Sequence, residues 1–276
     1  MNTIDPARPV AGRTVVVTRP AAQASTLLAL LSERGYETIA FPVIAIEALT
    51  DTRALDATMS GIERYRLVVF VSPNAIDHAL VRRTAPWPTG VAIGAMGPGS
   101  VAALRARGIA APAIRVIAPR DAGDESRYDS EALFEALDLA SLTGGRVLIV
   151  RGNGGRAWLA ERLSSAGIAV DEIESYRRTL PQAGVAARAA LRALLASDAA
   201  PTFIVTSSEG LQNLVTMIAA IIAGPERDDS PRAGAWSHRC RLVVPHARIA
   251  ENARGLGFSD VVLSGPGDAN IAATLE

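Results

Sequence analysis

Two stretches of the chain place a hydroxyl group where chemistry is possible. VVFVSPNAI (68–76) and FIVTSSEGL (203–211) each end an apolar run in a serine and then open a segment of helical character. Ser72 is followed by Pro73, a residue suited to the first helical position, and by Asn74. Ser207 is followed by Ser208 and by the acidic Glu209, as a helix start favours. Either these serines only cap helices, or their turns also hold a ligand. The second possibility arises because helix starts beyond the ends of parallel strands present N–H groups that suit an anion.

Two further turns have the same character. Gly97-Pro98-Gly99-Ser100 stands between VAIGAM and VAALRARG, where glycine serves either a tight turn or the close approach of an anion to the backbone. After RVLIV, residues 152–157 (GNGGRA) match the dinucleotide pattern G-x-G-x-x-A, with Asp171 at the expected sequence distance for a ribose contact. That turn keeps a nicotinamide-dependent enzyme in play, although the related stretch Thr18-Arg19-Pro20 has no glycine.

Composition removes other chemistries. The sequence contains no lysine, which excludes Schiff-base catalysis and a P-loop. The 28 basic residues, all arginine, balance 28 acids, so no global field draws in nucleic acid or an anionic membrane. Cys240 is the only cysteine, and His78, His238 and His246 share no ligand spacing, so no disulfide and no metal site are expected. No nucleophile elbow, zinc helix or carboxylate pair is present. The N-terminal MNTIDPARPVAGR reads as a short disordered tail rather than a signal peptide. LVTMIAAIIA (214–223) is about half the length that spans a bilayer, so a cytoplasmic protein is expected.

The elements that must position these residues alternate regularly. TVVVT, LVVFV, VAIGA, IRVIA, RVLIV, FIVT, RLVV and VVLS are continuous apolar strands separated by Ala/Leu/Arg segments of helical period. That pattern predicts α/β architecture with parallel sheets covered on both faces. The pattern also repeats. GRTVVVTRP (12–20) resembles GRVLIVRGN (145–153), and LLSERGYETIAFP (30–42) resembles RLSSAGIAVDEIE (162–174), with Gly35 and Gly167 closing equivalent helices. VAIGAMGPGSVAALRARGI (91–109) parallels LVVPHARIAENARGLGF (242–258). The order of the copies predicts an inserted lobe of residues 47–171 within a lobe of residues 1–40 plus 178–276. The crossings at 41–46 and 172–177 would form a two-stranded hinge, and the two serine turns would face one cleft. Residues 224–240 read as a surface loop, and 119–131 as a loop or a mobile lid.

In order along the chain, VTRP, FPVIAI, FVSPNAI, GPGSVAAL, SEALFEAL, RVLIVRGNGGRAWLAERLSSAG, ESYRR, VTSSEGL and PHARIAENARGLG form a set that resembles the uroporphyrinogen-III synthase family. The resemblance implies two flavodoxin-like parallel-sheet lobes joined by a two-stranded antiparallel hinge. It implies a cofactor-free lyase that cyclises the linear tetrapyrrole hydroxymethylbilane with inversion of ring D and loss of water, in heme biosynthesis. The family tyrosine falls on Tyr176, the expected catalytic residue. The family hydroxyl after the G-P turn falls on Ser100, and the serine of the S-P turn on Ser72. The glycine-rich turn of the C-terminal lobe is replaced here by Pro245-His246-Ala247-Arg248.

Loss of the terminal hydroxyl would give an azafulvene cation. Attack by the substituted α-carbon of ring D would give a spiro intermediate, and fragmentation and reclosure would give the inverted product. Tyr176 is expected to hydrogen-bond the departing hydroxyl. The substrate would meet Arg19, Ser72, Pro73, Asn74, Gly97, Pro98, Gly99, Ser100, Arg151, Gly152, Ser207, Ser208, His246 and Arg248, with its carboxylates taken by cap amides near Ser72, Ser100 and Ser207 and by the guanidinium forks of Arg19, Arg151 and Arg248. The expected partner is this small substrate alone, with no nucleic acid, no membrane and a monomeric protein. The alternatives are the nicotinamide enzyme using 152–157 and a non-catalytic two-lobed sensor of anions.

Overall fold

The computed structural model describes residues 14–119, 127–224 and 236–276. Among these, the strands in chain order are β1 (Thr14–Val17), β2 (Glu37–Ala40), β3 (Ala45–Ala48), β4 (Leu67–Phe70), β5 (Ala92–Ala95), β6 (Val116–Ile117), β7 (Arg146–Gly152), β8 (Ala169–Thr179), β9 (Thr202–Ile204), β10 (Arg241–Val244) and β11 (Asp260–Leu263). The chain divides into two compact units, Met1–Ala45 with Thr179–Glu276, and Ile46–Arg178.

The first unit carries the sheet β11-β10-β9-β1-β2, parallel throughout. The second carries β3-β8-β7-β4-β5-β6, parallel from β8 to β6, with β3 adding antiparallel pairing at the edge beside β8. Matching β1 with β7, β2 with β8, β9 with β4, β10 with β5 and β11 with β6 gives both sheets the same spatial order. That order is the flavodoxin-like 2-1-3-4-5. The units are thus circular permutants. The strand pair that opens the first unit in sequence closes the second. The apolar repeats seen in the sequence fall on these equivalent strands.

The apolar runs are explained by burial on both faces of each sheet. In β4, Val68 and Phe70 join one core cluster while Leu67 and Val69 join another; in β7, Leu148 and Val150 face the first and Val147 and Ile149 the second. Alternation of side chains across a strand makes this division automatic. In the first unit, Val15, Val17, Ile204 and Val243 pack with Leu27 and Leu31 of the helix Ala21–Glu33. The two helices that precede β2 and β8 end at Gly35 and Gly167, with φ of 79° and 78°. A left-handed residue at this position is what the equivalent glycines supply.

Three expected boundaries move. The crossing segment at 41–46 forms a strand only at Ala45–Ala48, because Phe41 and Val43 extend the β1 edge through Phe41 N–H to Val17 O and Val43 N–H to Thr18 O. The expected loop at 224–240 ends in the helix Trp236–Arg239, whose Trp236 packs edge-on against Phe203 and Phe258 at 5.6 and 5.1 Å. The expected loop or lid at 119–131 is already helical at Ser130, where Asp129 accepts a hydrogen bond from Ala132 N–H at 2.8 Å. Residues 120–126, 225–235 and the N-terminal 1–13 lie outside the described residues. The apolar run at 214–223 belongs to the helix Ser208–Ile222 and buries Leu214, Met217, Ile218 and Ile221. Among the described residues no helix is long and apolar enough to cross a membrane.

Phe70 is fully buried and lies 6.0 Å from Trp87. Truncation of Phe70 to alanine is expected to cost about 3–5 kcal/mol in the unfolding transition of the second unit, measured in urea.

Candidate functional site

The carboxyl ends of β4, β5, β7 and β8 converge in the second unit. After β4, Ser72 is extended (φ −164°, ψ 162°), and its Oγ accepts the Ala75 N–H at 3.2 Å, with Pro73 opening the helix Pro73–Leu80. Tyr176, on β8, is 3% exposed, and its hydroxyl lies 3.2 Å from Ser72 Oγ. His78, on the helix that Ser72 caps, stacks on the tyrosine ring at 5.7 Å and 28°. Sequence reasoning missed His78, since nothing in the linear pattern links residues of that helix to β8.

Gly152 sets the position of the tyrosine ring. The β7–β8 register shifts at Arg151/Gly152, so that Gly152 faces Tyr176. A β-carbon on Gly152 would stand 2.6 Å from Tyr176 Cζ, so the ring occupies the volume of a missing side chain. Asn153 then ties the two strands. Its N–H donates to Tyr176 O at 3.3 Å, its Nδ2 to Arg178 O at 3.2 Å, and its Oδ1 accepts the Arg178 N–H at 2.5 Å.

The Gly97-Pro98-Gly99-Ser100 turn stands at the start of the helix Pro98–Ala106, where Gly97 offers no side-chain cap. A β-carbon at Gly97 would meet the Tyr128 ring at 3.1 Å, and one at Gly99 would touch Pro73 at 3.6 Å. Pro73 and Gly99 therefore adjoin, and Tyr128 is a second aromatic residue at this edge that sequence reasoning did not select. Ser100 is 3% exposed.

The first unit repeats the plan. Ser207 (φ −151°, ψ 153°) caps the helix Ser208–Ile222 by accepting Gly210 N–H at 2.9 Å. Ser208 Oγ accepts from Asn252 Nδ2 at 2.9 Å. His246 opens the helix Ala247–Gly255 without a side-chain cap, and Ala247 and Arg248 are exposed. Equivalent positions therefore behave alike. Ser72 and Ser207 use their side chains on the third helical amide, whereas the Gly97 and His246 turns put no cap side chain on that amide. At His246 the third amide, Ile249 N–H, donates to the His246 carbonyl at 3.0 Å, so of these turns the one at Gly97 is the better suited to an anion.

Two of the three arginines expected to hold carboxylates, Arg19 and Arg151, are already engaged, while Arg248 is exposed. Arg19, beyond β1, pairs with Asp268. Arg151 Nη1 donates to Glu172 at 3.1 and 3.2 Å, its Nη2 donates to Gly154 O, and at 3.4 Å to Gly155 O. An incoming carboxylate would exchange with these partners, at the cost of unpairing a carboxylate of the protein.

The dinucleotide pattern fails on geometry. Asp171 pairs with Leu148, four residues before Gly152 along β7, or about 13 Å. Its carboxylate accepts from Tyr65 Oη at 2.9 Å and Arg146 Nη1 at 2.6 Å. A ribose-binding acid belongs beside the carboxyl end of the strand, level with the glycine turn.

A family model described as Uroporphyrinogen-III synthase HemD matches residues 25–270. The chain is 30% identical over 257 residues to the uroporphyrinogen-III synthase of Salmonella typhimurium, covering 92% of this chain and 96% of the relative. Among solved structures it is similar to a mutant uroporphyrinogen III synthase of Thermus thermophilus, with TM-score 0.57, 16% identity, and coverage of 95% of this chain and 99% of that one. The uroporphyrinogen-III synthetase of Helicobacter pylori is similar with TM-score 0.55 and 13% identity, over 96% of this chain and 100% of that one. At these identities the solved structures establish the shared fold.

Two outcomes follow, one from the site and one from the buried cysteine before β10. Gly152→Ala is expected to destabilise the second unit by about 1–3 kcal/mol in urea unfolding, and combining it with Tyr176→Ala is expected to remove most of that steric penalty. Burial raises the Cys240 thiol to about 12. The thiol therefore stays protonated at pH 8, and native protein is expected to resist iodoacetamide until unfolded, as followed by mass spectrometry.

Proposed function

We infer, from a chain that belongs to the uroporphyrinogen-III synthase HemD family, that this protein is a uroporphyrinogen-III synthase. It is a hydro-lyase that cyclises hydroxymethylbilane with inversion of ring D in heme biosynthesis. The observation that carries the assignment is family membership across most of the chain. What supports a role for the site is the Tyr176–Ser72 hydroxyl pair at the carboxyl edge of the second sheet.

The chemistry asks little of side chains. Loss of the terminal hydroxyl is assisted by a hydrogen-bond donor, and the azafulvene cation that results is attacked by the electron-rich ring D. Closing the macrocycle onto a pyrrole carbon expels that carbon's hydrogen as a proton, so water is lost overall. The protein's larger task is to hold the bilane so that the substituted α-carbon of ring D reaches the cation and simple end-to-end closure does not occur. Tyr176 and Ser72 assist departure of the hydroxyl. In the second unit the Gly97–Ser100 turn, Asn74 and Gly152 bind carboxylates of the substrate, with Pro73 packing beside them, and Ser207, Ser208, His246 and Arg248 are the equivalent candidates of the first unit. Arg19 and Arg151 join them by exchange from Asp268 and Glu172.

The protein acts as a monomer in the cytoplasm on this small linear tetrapyrrole.

Freshly prepared hydroxymethylbilane, incubated with the protein and resolved by isomer, is expected to give type III product. Type I product alone, as forms without help, would overturn the assignment. Tyr176→Phe is expected to lower kcat about tenfold, the scale of one lost hydrogen bond. Unchanged kcat would remove Tyr176 from the mechanism.

A further inference from the structure

The two hydroxyls of the site are not equivalent, and their surroundings fix which one faces outward. Among the described residues, Ser72 Oγ is the hydrogen-bond partner of the Tyr176 hydroxyl, at 3.2 Å. Tyr176 is 3% exposed, enclosed by the Gly152 backbone, the stacked His78 ring and the core that contains Phe70 and Val150. Ser72 is half-buried at the end of its strand. A serine hydroxyl has one hydrogen to give and two lone pairs to accept with. One lone pair already accepts the Ala75 N–H.

Two arrangements satisfy that inventory. If Ser72 donated to Tyr176, the phenol hydrogen would be left without a partner in an almost closed environment, and leaving a buried donor unpaired is costly. If Tyr176 O–H donates to Ser72 Oγ instead, both serine lone pairs are filled and the phenol is satisfied. The serine hydrogen must then point away from both partners, toward the open side of the turn. Burial selects the second arrangement.

We propose that Ser72 is the catalytic residue that donates a hydrogen bond to the departing hydroxyl of the bilane, and that Tyr176 acts through it as a positioning residue. This rests on the uroporphyrinogen-III synthase assignment. As the carbon–oxygen bond breaks, the electron pair leaves with oxygen, which draws the Ser72 hydrogen toward itself. Tyr176 O–H strengthens its donation to Ser72 Oγ in concert, because donation by a hydroxyl is reinforced when that hydroxyl also accepts. The Ser72 proton passes to the leaving oxygen, which departs as water, the Tyr176 proton moves onto Ser72 Oγ, and the phenolate left behind is reprotonated by the proton expelled from carbon on ring closure. His78 and Gly152 keep the phenol aimed at Ser72, and the serine keeps its cap while it works. Ser72→Gly is suited to testing this, since glycine is tolerated at helix N-caps while the hydroxyl is removed.

The test is a double-mutant comparison by single-isomer assay, with thermal melting to establish that each variant is folded. Ser72→Gly is expected to lower kcat about a hundredfold, and Ser72→Thr, which keeps a hydroxyl, to recover most of it. Tyr176→Phe is expected to lower kcat less than Ser72→Gly with little change in KM. Adding Tyr176→Phe to Ser72→Gly is expected to cost nothing further, since the phenol acts only through the serine. If Ser72→Gly melts with the unfolded profile, Ser72→Asp, whose ionised carboxylate keeps a cap acceptor and has no hydrogen to donate, takes its place in the same comparison. Independent, multiplying losses, or a Tyr176→Phe loss equal to or greater than that of the Ser72 variant, would overturn the proposal. Absence of type III product from the wild-type protein would instead overturn the underlying assignment.

Discussion

The second unit's site depends on one close contact, the Tyr176 ring against the bare backbone of Gly152. The contact exists because β7 and β8 run parallel and slip by one position at Arg151/Gly152, which turns the tyrosine over the glycine. Asn153 locks that slip by bonding to the backbone on both sides of Arg177. From there the phenol reaches Ser72, and Ser72 reaches the first turn of its helix. Moving any member of this chain moves the hydroxyls, so the site is built from backbone geometry before side-chain chemistry enters.

A protein of zero net charge that holds a polycarboxylate must concentrate its donors locally. Under the proposed function, the turns at equivalent strand ends are the candidate donors. The turns after β4 and β9 are self-capped by serine, which spends an amide to fix the backbone. The turns after β5 and β10 have no side-chain cap, and after β10 the Ile249 N–H donates to the His246 carbonyl instead. Arg19 and Arg151 pair with Asp268 and Glu172, so under the proposed function they would add affinity only through exchange. Such balanced pairing avoids unpaired buried cations.

Much of this was legible in the sequence because it depends on local rules. Continuous apolar strands marked two-faced sheets, the serine turns marked caps, and Gly35 and Gly167 marked equivalent helix ends. Self-similarity also marked the permuted plan. What the sequence concealed depends on contacts between distant residues or on elements too short to carry a period. The four-residue helix Trp236–Arg239 shows no periodicity, and its aromatic anchor is visible only once Phe203 and Phe258 are in place. His78 and Tyr128 joined the site through partners 98 and 31 positions away, Tyr176 and Gly97. The glycines of 152–157 looked like a nucleotide cradle, yet Gly152 serves a tyrosine and Asp171 serves Tyr65 and Arg146.

The central claim is that the protein works chiefly by shaping its substrate, with hydroxyl assistance a secondary contribution. The direct measurement is the isomer ratio formed by Tyr176→Phe protein as its concentration is raised against a fixed amount of hydroxymethylbilane. A shaping enzyme with a weakened donor turns over slowly, and the type III fraction climbs toward completion once enzyme outpaces spontaneous closure. A type I fraction that persists at saturating enzyme would contradict the account, because it would show that the phenol itself governs which end of ring D closes the macrocycle.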